Sequence, residues 1–377
     1  NITAIVTVSD YGKLPTNSRK QLELLPLEDI KDSLIALSYN EPVMEGILNL
    51  KFNHGMLRDL SFGDIYLYSM KELYGDFAES IEKSKSVLNI TGRVLPVTLD
   101  EVKICAELEN GMVVEEKDKI PEIVFDKVTK INRIYISPSN CVPAPGVLEA
   151  IKNADAIIIG PGSLYTNVIP NLLVKNVSRT IKESKAIKIY VNNIMTEPGQ
   201  TDNYTISDHI QAIIDHAGIG ILDYCIYDTG EVIPEYIRKY NMGGQDLVEQ
   251  DIQKCKEKGI KLLQRNLSTI IDDNIRHNPK AVAEAIIQII CDDLKFKDKQ
   301  NDPEYIMLNS RLKEEKRRKK NVRPIFKVNN NSKNHSTRIE KRKSRFSEKY
   351  KERVESIKTS DKKKIENQMR AKEEDKK

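Results

Sequence analysis

No two cysteines in this sequence stand in a C-x-x-C spacing, and the five present, Cys105, Cys141, Cys225, Cys255 and Cys291, are odd in number and far apart. That pattern argues against a disulfide framework or a thiolate zinc site and fits reduced thiols in a cytoplasmic protein. No stretch approaches the roughly 18 consecutive apolar residues of a membrane span. No signal-peptide pattern follows Asn1. His54, His216 and His277 lack the spacing of a metal cage, so no protein-built metal site is expected. A Mg²⁺ carried in by ligand phosphates would leave no such mark. A G-x-S-x-G nucleophile motif is also missing, which argues against a hydrolase of that type.

Net charge is small as well, at +4 over 377 residues, but it conceals two unlike parts. From Arg311 onward there are 26 Lys and Arg against 11 Asp and Glu, or +15; subtraction from the totals of 60 and 56 leaves 34 against 45, or −11, for the rest. The body is acidic. Residues 311–377 form a basic low-complexity tail, expected to lack a core of its own. Its interspersed glutamates and sparse aromatics fit a solvated appendage better than a nucleic-acid binder.

What the chain does contain is an apolar run, Ala156-Ile157-Ile158-Ile159, ending in Gly160-Pro161-Gly162-Ser163. This is the pattern of a buried parallel strand that delivers its carboxyl end to a binding site. Gly160 and Gly162 allow close backbone approach, Pro161 stiffens the turn, and Ser163 is expected to cap a helix whose free N–H groups attract phosphate. Alone the motif is weak, being neither G-x-G-x-x-G nor a P-loop.

Around that turn the periodicity alternates. Residues 2–8 read as a strand, and helical spacing follows over 29–38, 41–52, 62–74 and 76–88. Short β-like pieces at 103–108 and 112–115 flank Asn110-Gly111, a favoured hairpin turn. Strands at 134–137, 156–159, 187–192, 221–227 and 261–263 then alternate with helices at 146–153, 176–184, 207–217, 234–240 and 279–291. The expected fold is an α/β, doubly wound, mostly parallel sheet with a helical insertion at about 29–90 and a small antiparallel excursion. One domain over 1–300 is expected, followed by the tail.

In such a sheet ligands sit beyond the carboxyl ends of the strands. The loops expected there are 160–163, the polar run 192–202 with Asn192, Asn193, Thr196, Thr201 and Asp202, and Asp228-Thr229-Gly230. Together they would line a crevice suited to a polar, phosphorylated ligand, although Asn, Thr, Gly and Pro also serve as plain turn residues. Asp208 is expected to serve a helix N-terminus and His209 a partly buried polar contact.

The runs Gly160-Pro161-Gly162-Ser163-Leu164-Tyr165-Thr166-Asn167-Val168-Ile169-Pro170-Asn171-Leu172-Leu173-Val174 and Ile189-Tyr190-Val191-Asn192-Asn193-Ile194-Met195-Thr196-Glu197-Pro198-Gly199-Gln200-Thr201-Asp202 closely resemble the bacterial gluconeogenesis factor family (YvcK-like), a sister of the 2-phospho-L-lactate transferases in the CofD-like superfamily. Gly92-Arg93-Val94-Leu95-Pro96 and Ile275-Arg276-His277 support it, and the likeness spans about residues 1–292. The resemblance implies a Rossmann-like sheet and a cytoplasmic regulatory protein that binds a UDP-sugar such as UDP-N-acetylglucosamine. It implies a role in cell morphogenesis and wall synthesis under gluconeogenic growth, with a protein partner in cell-wall regulation and a homo-oligomer as further expectations. Tyr240 and Arg276 match family ligand contacts; a tyrosine can pack on uracil or sugar, and an arginine can fork onto a diphosphate. The family's opening strand and Gly-Gly-Gly-Thr-Gly loop are not in this sequence, as though it began one strand late. Its Asp-Asp-Gly-Gly-Ser-Ser-Gly loop is replaced by Asp10-Tyr11-Gly12-Lys13-Leu14-Pro15-Thr16. The alternative the resemblance implies, transfer of a phospholactyl group to a flavin-like acceptor, is disfavoured by loss of that aspartate pair.

Overall fold

Strand β1 (Thr3–Val6) pairs in parallel with β2 (Arg93–Pro96), Thr3 opposite Arg93 and Val6 opposite Pro96. Between them lie α1 (Glu28–Ala36), α2 (Glu41–Leu48), α3 (Phe62–Tyr74) and α4 (Phe77–Val87), the expected insertion. This computed structural model describes residues 1–7, 28–54, 57–58, 60–292, 307 and 310–311. The Asp10 turn lies outside them, as does the basic tail apart from Arg311. Residues Asn1–Leu312 cluster as one unit.

The insertion's ends obey local rules. Ser61 caps α3 by accepting from Asp64 N at 3.1 Å while Asp64 Oδ2 accepts from Ser61 N at 2.8 Å, a reciprocal box that satisfies two otherwise orphaned donors. The spacing over 41–52 predicted a longer α2, but the helix stops at Leu48, because residues 50–52 pair backbone with the segment before α3: Phe62 N donates to Leu50 O and Phe52 N to Leu60 O.

The antiparallel excursion is a sheet of β3 (Lys103–Leu108), β4 (Val113–Val114) and, after α5 (Ile120–Asp126), β5 (Ile131–Ser137), in the order β4-β3-β5. Its hairpin is the Asn110-Gly111 turn, where Asn110 Oδ1 accepts from Met112 N at 3.0 Å. The short α5 was not anticipated, since seven residues are too few for a clear helical period.

The main sheet follows. After α6 (Val147–Asn153) comes β6 (Ala156–Ile159), then a π-type turn over Leu164–Val168 that runs into α7 (Ile169–Leu173) and on to α8 (Val177–Glu183). Next stand β7 (Ile187–Val191), α9 (Ile206–Ala217), β8 (Tyr224–Asp228), α10 (Pro234–Met242), α11 (Ile252–Glu257) and β9 (Lys261–Arg265). A hairpin of β10 (Ser268–Ile271) and β11 (Asn274–His277) and a final helix α12 (Pro279–Asp292) close the described body. The order is β6-β7-β8-β9 with every neighbour parallel, so all four carboxyl ends meet one edge.

Strand β7 is buried along its whole length, as a strand covered on both faces must be. Ile187, Ile189 and Val191 face one side, where they pack with Ile226, Leu267, Ala285 and Ile289, the last two from α12. Tyr190 faces the other and joins the large core that includes Ile169, Ile210 and Ile213 from α7 and α9. The period of two along β7 therefore assigns helices to both faces. Strand β8 begins at Tyr224 rather than at 221, because Ile221 and Leu222 turn into that core instead of joining the ladder. Among the described residues no helix is long and apolar enough to cross a membrane.

Candidate functional site

Beyond the carboxyl edge of β6 and β7 lies a cleft of about 570 Å³. Its first wall is the turn after β6, with Pro161, Gly162 and Ser163; its second is the loop after β7, with Asn193, Ile194, Met195, Thr196 and Glu197. The third comes from α10 and the β10–β11 hairpin, with Lys239, Tyr240, Asn274, Ile275, Arg276 and His277, together with Gln245.

The sequence-predicted residues divide into those that line the cleft and those that hold it. Pro161, Gly162, Ser163, Asn193, Thr196, Tyr240 and Arg276 line it, whereas Gly160, Asn192, Thr201 and Asp202 do not. Gly160 has φ +73°, and a Cβ there would stand 3.1 Å from Val191 O, so glycine lets the turn sit against β7. Asn192 is buried, and its carbonyl faces His277 Nε2 at 3.0 Å. Thr201 Oγ1 accepts from Glu197 N at 2.8 Å, and Asp202 Oδ2 from Gly199 N at 2.7 Å, so both shape the second wall from behind. Thr196, although it reaches the cleft, uses its hydroxyl to accept from Asp246 N at 2.9 Å.

Two expectations need correction. Ser163 does not cap a helix, because its hydroxyl is committed across the cleft floor to Glu197 Oε2 at 2.5 Å and receives a bond from Thr166 Oγ1 at 2.7 Å. Nor does the loop after β8 form a wall. Asp228 Oδ1 accepts from Gly230, Leu267 and Ser268 N–H groups at 3.0, 2.6 and 2.9 Å, which commits that oxygen and anchors the hairpin. Its place is taken by that hairpin, too short and polar for sequence periodicity to reveal.

The hairpin and α10 are tied together. Tyr240 OH accepts from Ile275 N at 2.9 Å, its ring packs on the small cluster of Ile194, Met195 and Ile275, and Lys239 is paired with Asp273. The Arg276 guanidinium, in contrast, has no protein partner among the described residues. Glu197, Lys239, Gln245, Asn274 and His277 were not foreseen as lining residues. Lys239 and His277 could have been, as direct neighbours of Tyr240 and Arg276.

Burial raises the Glu197 carboxyl above its usual range, with the Ser163 bond offsetting part of the rise. Burial lowers the imidazoles of His209, His216 and His277. His209 is fully buried rather than partly, its Nδ1 facing Thr205 O at 2.9 Å, while Asp208 completes a capping box with Thr205 as expected. The lowered imidazoles take up protons more readily once the chain unfolds, so they favour unfolding as the pH falls below about 6.5, by up to ~1.4 kcal/mol per pH unit for each. The melting temperature should therefore drop between about pH 7 and pH 5.5, and H209Q, which binds no proton there, should show a shallower drop. Melting curves at the two pH values check both outcomes.

The family model described as 2-phospho-L-lactate transferase CofD matches residues 1–268. A relative in Clostridium acetobutylicum is 41% identical over 323 residues, 86% of this chain and 72% of the relative. Proteins named gluconeogenesis factor in Halalkalibacterium halodurans and Bacillus subtilis are 40% and 37% identical, with 76% and 77% of this chain aligned to 88% and 90% of theirs. The crystal structure of a Bacillus halodurans protein superposes with a TM-score of 0.72 at 40% identity, across 76% of this chain and 91% of that one.

Proposed function

The chain belongs to the CofD family, in its gluconeogenesis factor branch, and on that premise we propose that it is a nucleotide-sugar-binding regulatory protein. The observation that carries the reading is the unpartnered Arg276 guanidinium, set in one cleft with the Tyr240 ring and the 160–163 turn. A guanidinium left free of carboxylates is available to fork onto a diphosphate. A tyrosine ring whose hydroxyl is already anchored offers a rigid surface for a base or sugar. The glycine turn brings backbone close to the same ligand.

A UDP-sugar such as UDP-N-acetylglucosamine fits this set of groups, and Mg²⁺ would enter on its phosphates. The proposed setting is the cytoplasm, with the bound nucleotide sugar regulating wall synthesis and cell shape during gluconeogenic growth through a protein partner. Titration calorimetry of the full chain with UDP-N-acetylglucosamine should give saturable heat. No heat and no thermal shift up to millimolar ligand would overturn the proposal.

A further inference from the structure

The groups around the cleft are unevenly matched to an anionic ligand. Lys239 is spent on Asp273, which leaves Arg276 as the lining cation with no protein partner. Against it stand several acceptors. Glu197 has its Oε2 held by Ser163 at 2.5 Å, while no protein donor within the described residues reaches its Oε1. The Asn193 side-chain oxygen is buried with no partner, in a residue only 8% exposed. His277 Nε2 faces the Asn192 carbonyl at 3.0 Å, so Nε2 carries the proton and Nδ1 of the neutral ring is a further acceptor.

The buried Asn193 oxygen, left empty, costs about 1–3 kcal/mol, and the half-buried Glu197 Oε1 and His277 Nδ1 are further acceptors in the same lining, so these groups mark a place where a ligand brings donors. Phosphate oxygens cannot fill it, because they are acceptors and share the charge of Glu197. Uracil offers a single N–H and the ribose two hydroxyls, both of which UDP also carries. The hydroxyls and the acetamido N–H of a hexose are the donor-rich part of a nucleotide sugar.

We propose that Glu197 is the residue that reads the sugar: its free oxygen accepts from hexose hydroxyls beside the Asn193 carboxamide, while Arg276 holds the diphosphate. The assignment rests on the nucleotide-sugar reading and adds a division of labour within it. Ser163 is then a positioning residue that holds the carboxylate in place and offsets part of the cost of burying Glu197, and the sugar hydroxyls offset more of it.

The test compares UDP-N-acetylglucosamine with UDP, which shares the base, ribose and diphosphate, by calorimetry on the full-length wild type and on Glu197→Gln. The variant should lose roughly tenfold or more in affinity for the sugar-bearing ligand while its affinity for UDP stays within about twofold. An equal loss for both ligands, or no loss for UDP-N-acetylglucosamine, overturns the assignment but leaves the nucleotide-sugar reading standing. If the wild type binds neither ligand, both fall. Because E197Q removes a buried negative charge and keeps the shape, it should melt no lower than the wild type at neutral pH, and any selective loss of the sugar ligand is then a loss of recognition.

Discussion

Replacing Arg276 with alanine should weaken UDP-N-acetylglucosamine binding about a hundredfold, or ~3 kcal/mol, and shift the melting temperature of the free protein hardly at all. Both parts follow from the guanidinium having no protein partner among the described residues. Its loss breaks no internal ion pair, and surface truncations of that kind usually change stability by no more than about 0.5 kcal/mol. Bound to a diphosphate, the same group makes paired, charge-assisted bonds that nothing else among the lining residues replaces, since Lys239 is held by Asp273. Raising the salt should weaken wild-type binding and affect R276A much less. Calorimetry at two ionic strengths reads both effects, and an R276A affinity equal to wild type would remove the guanidinium from the site.

The second large effect is expected at Gly199, outside the cleft. Its φ is +71°, and an added Cβ would lie 2.2 Å from Pro121 O and 2.7 Å from Pro121 Cα, both backbone atoms at the start of α5. Backbone cannot rotate away as a side-chain tip can. Gly199→Ala therefore combines about 1–3 kcal/mol of backbone strain with a clash that must displace either α5 or the 196–202 loop. Within that loop Glu197 is held by Thr201 and Asp202 by Gly199, and Thr196 ties it to Asp246. G199A should lower the denaturation midpoint and abolish nucleotide-sugar binding together. Retention of both would show that the loop can shift without cost. The contrast with R276A is the useful control, one variant losing the ligand from an intact fold and the other losing the fold around the ligand.

Legibility along the chain depended on length in the helices and on apolar runs in the strands. The helical spacing of α3 and α9 spans several turns, while β6 and β7 are short but Ile-rich and end in glycine or asparagine turns, and the observed limits of all four fall within a residue of the expected ones. The short pieces α5, α11 and the β10–β11 hairpin carry four to seven residues each, too few to separate one period from another. That hairpin supplies Arg276 and His277, so the least legible element contributes part of the third wall of the cleft.

By itself the sequence determined the parallel sheet, the loops that would meet at its carboxyl edge, and the kinship carried by 160–174 and 189–202. These are local properties: burial pattern and turn chemistry are written within ten or so neighbouring residues. Only the tertiary structure decided which polar atoms at that edge are already satisfied. Asp228 looked available, yet its Oδ1 is taken by three backbone donors, while Ser163 looked like a cap and instead holds Glu197. Lys239 and Arg276 are both cations of the lining, yet Asp273 occupies one and leaves the other free. Apart from Gly230, which is local to Asp228, the partners lie about 30 to 40 residues apart in these cases, so the sequence names the groups and the fold assigns what is left for a ligand.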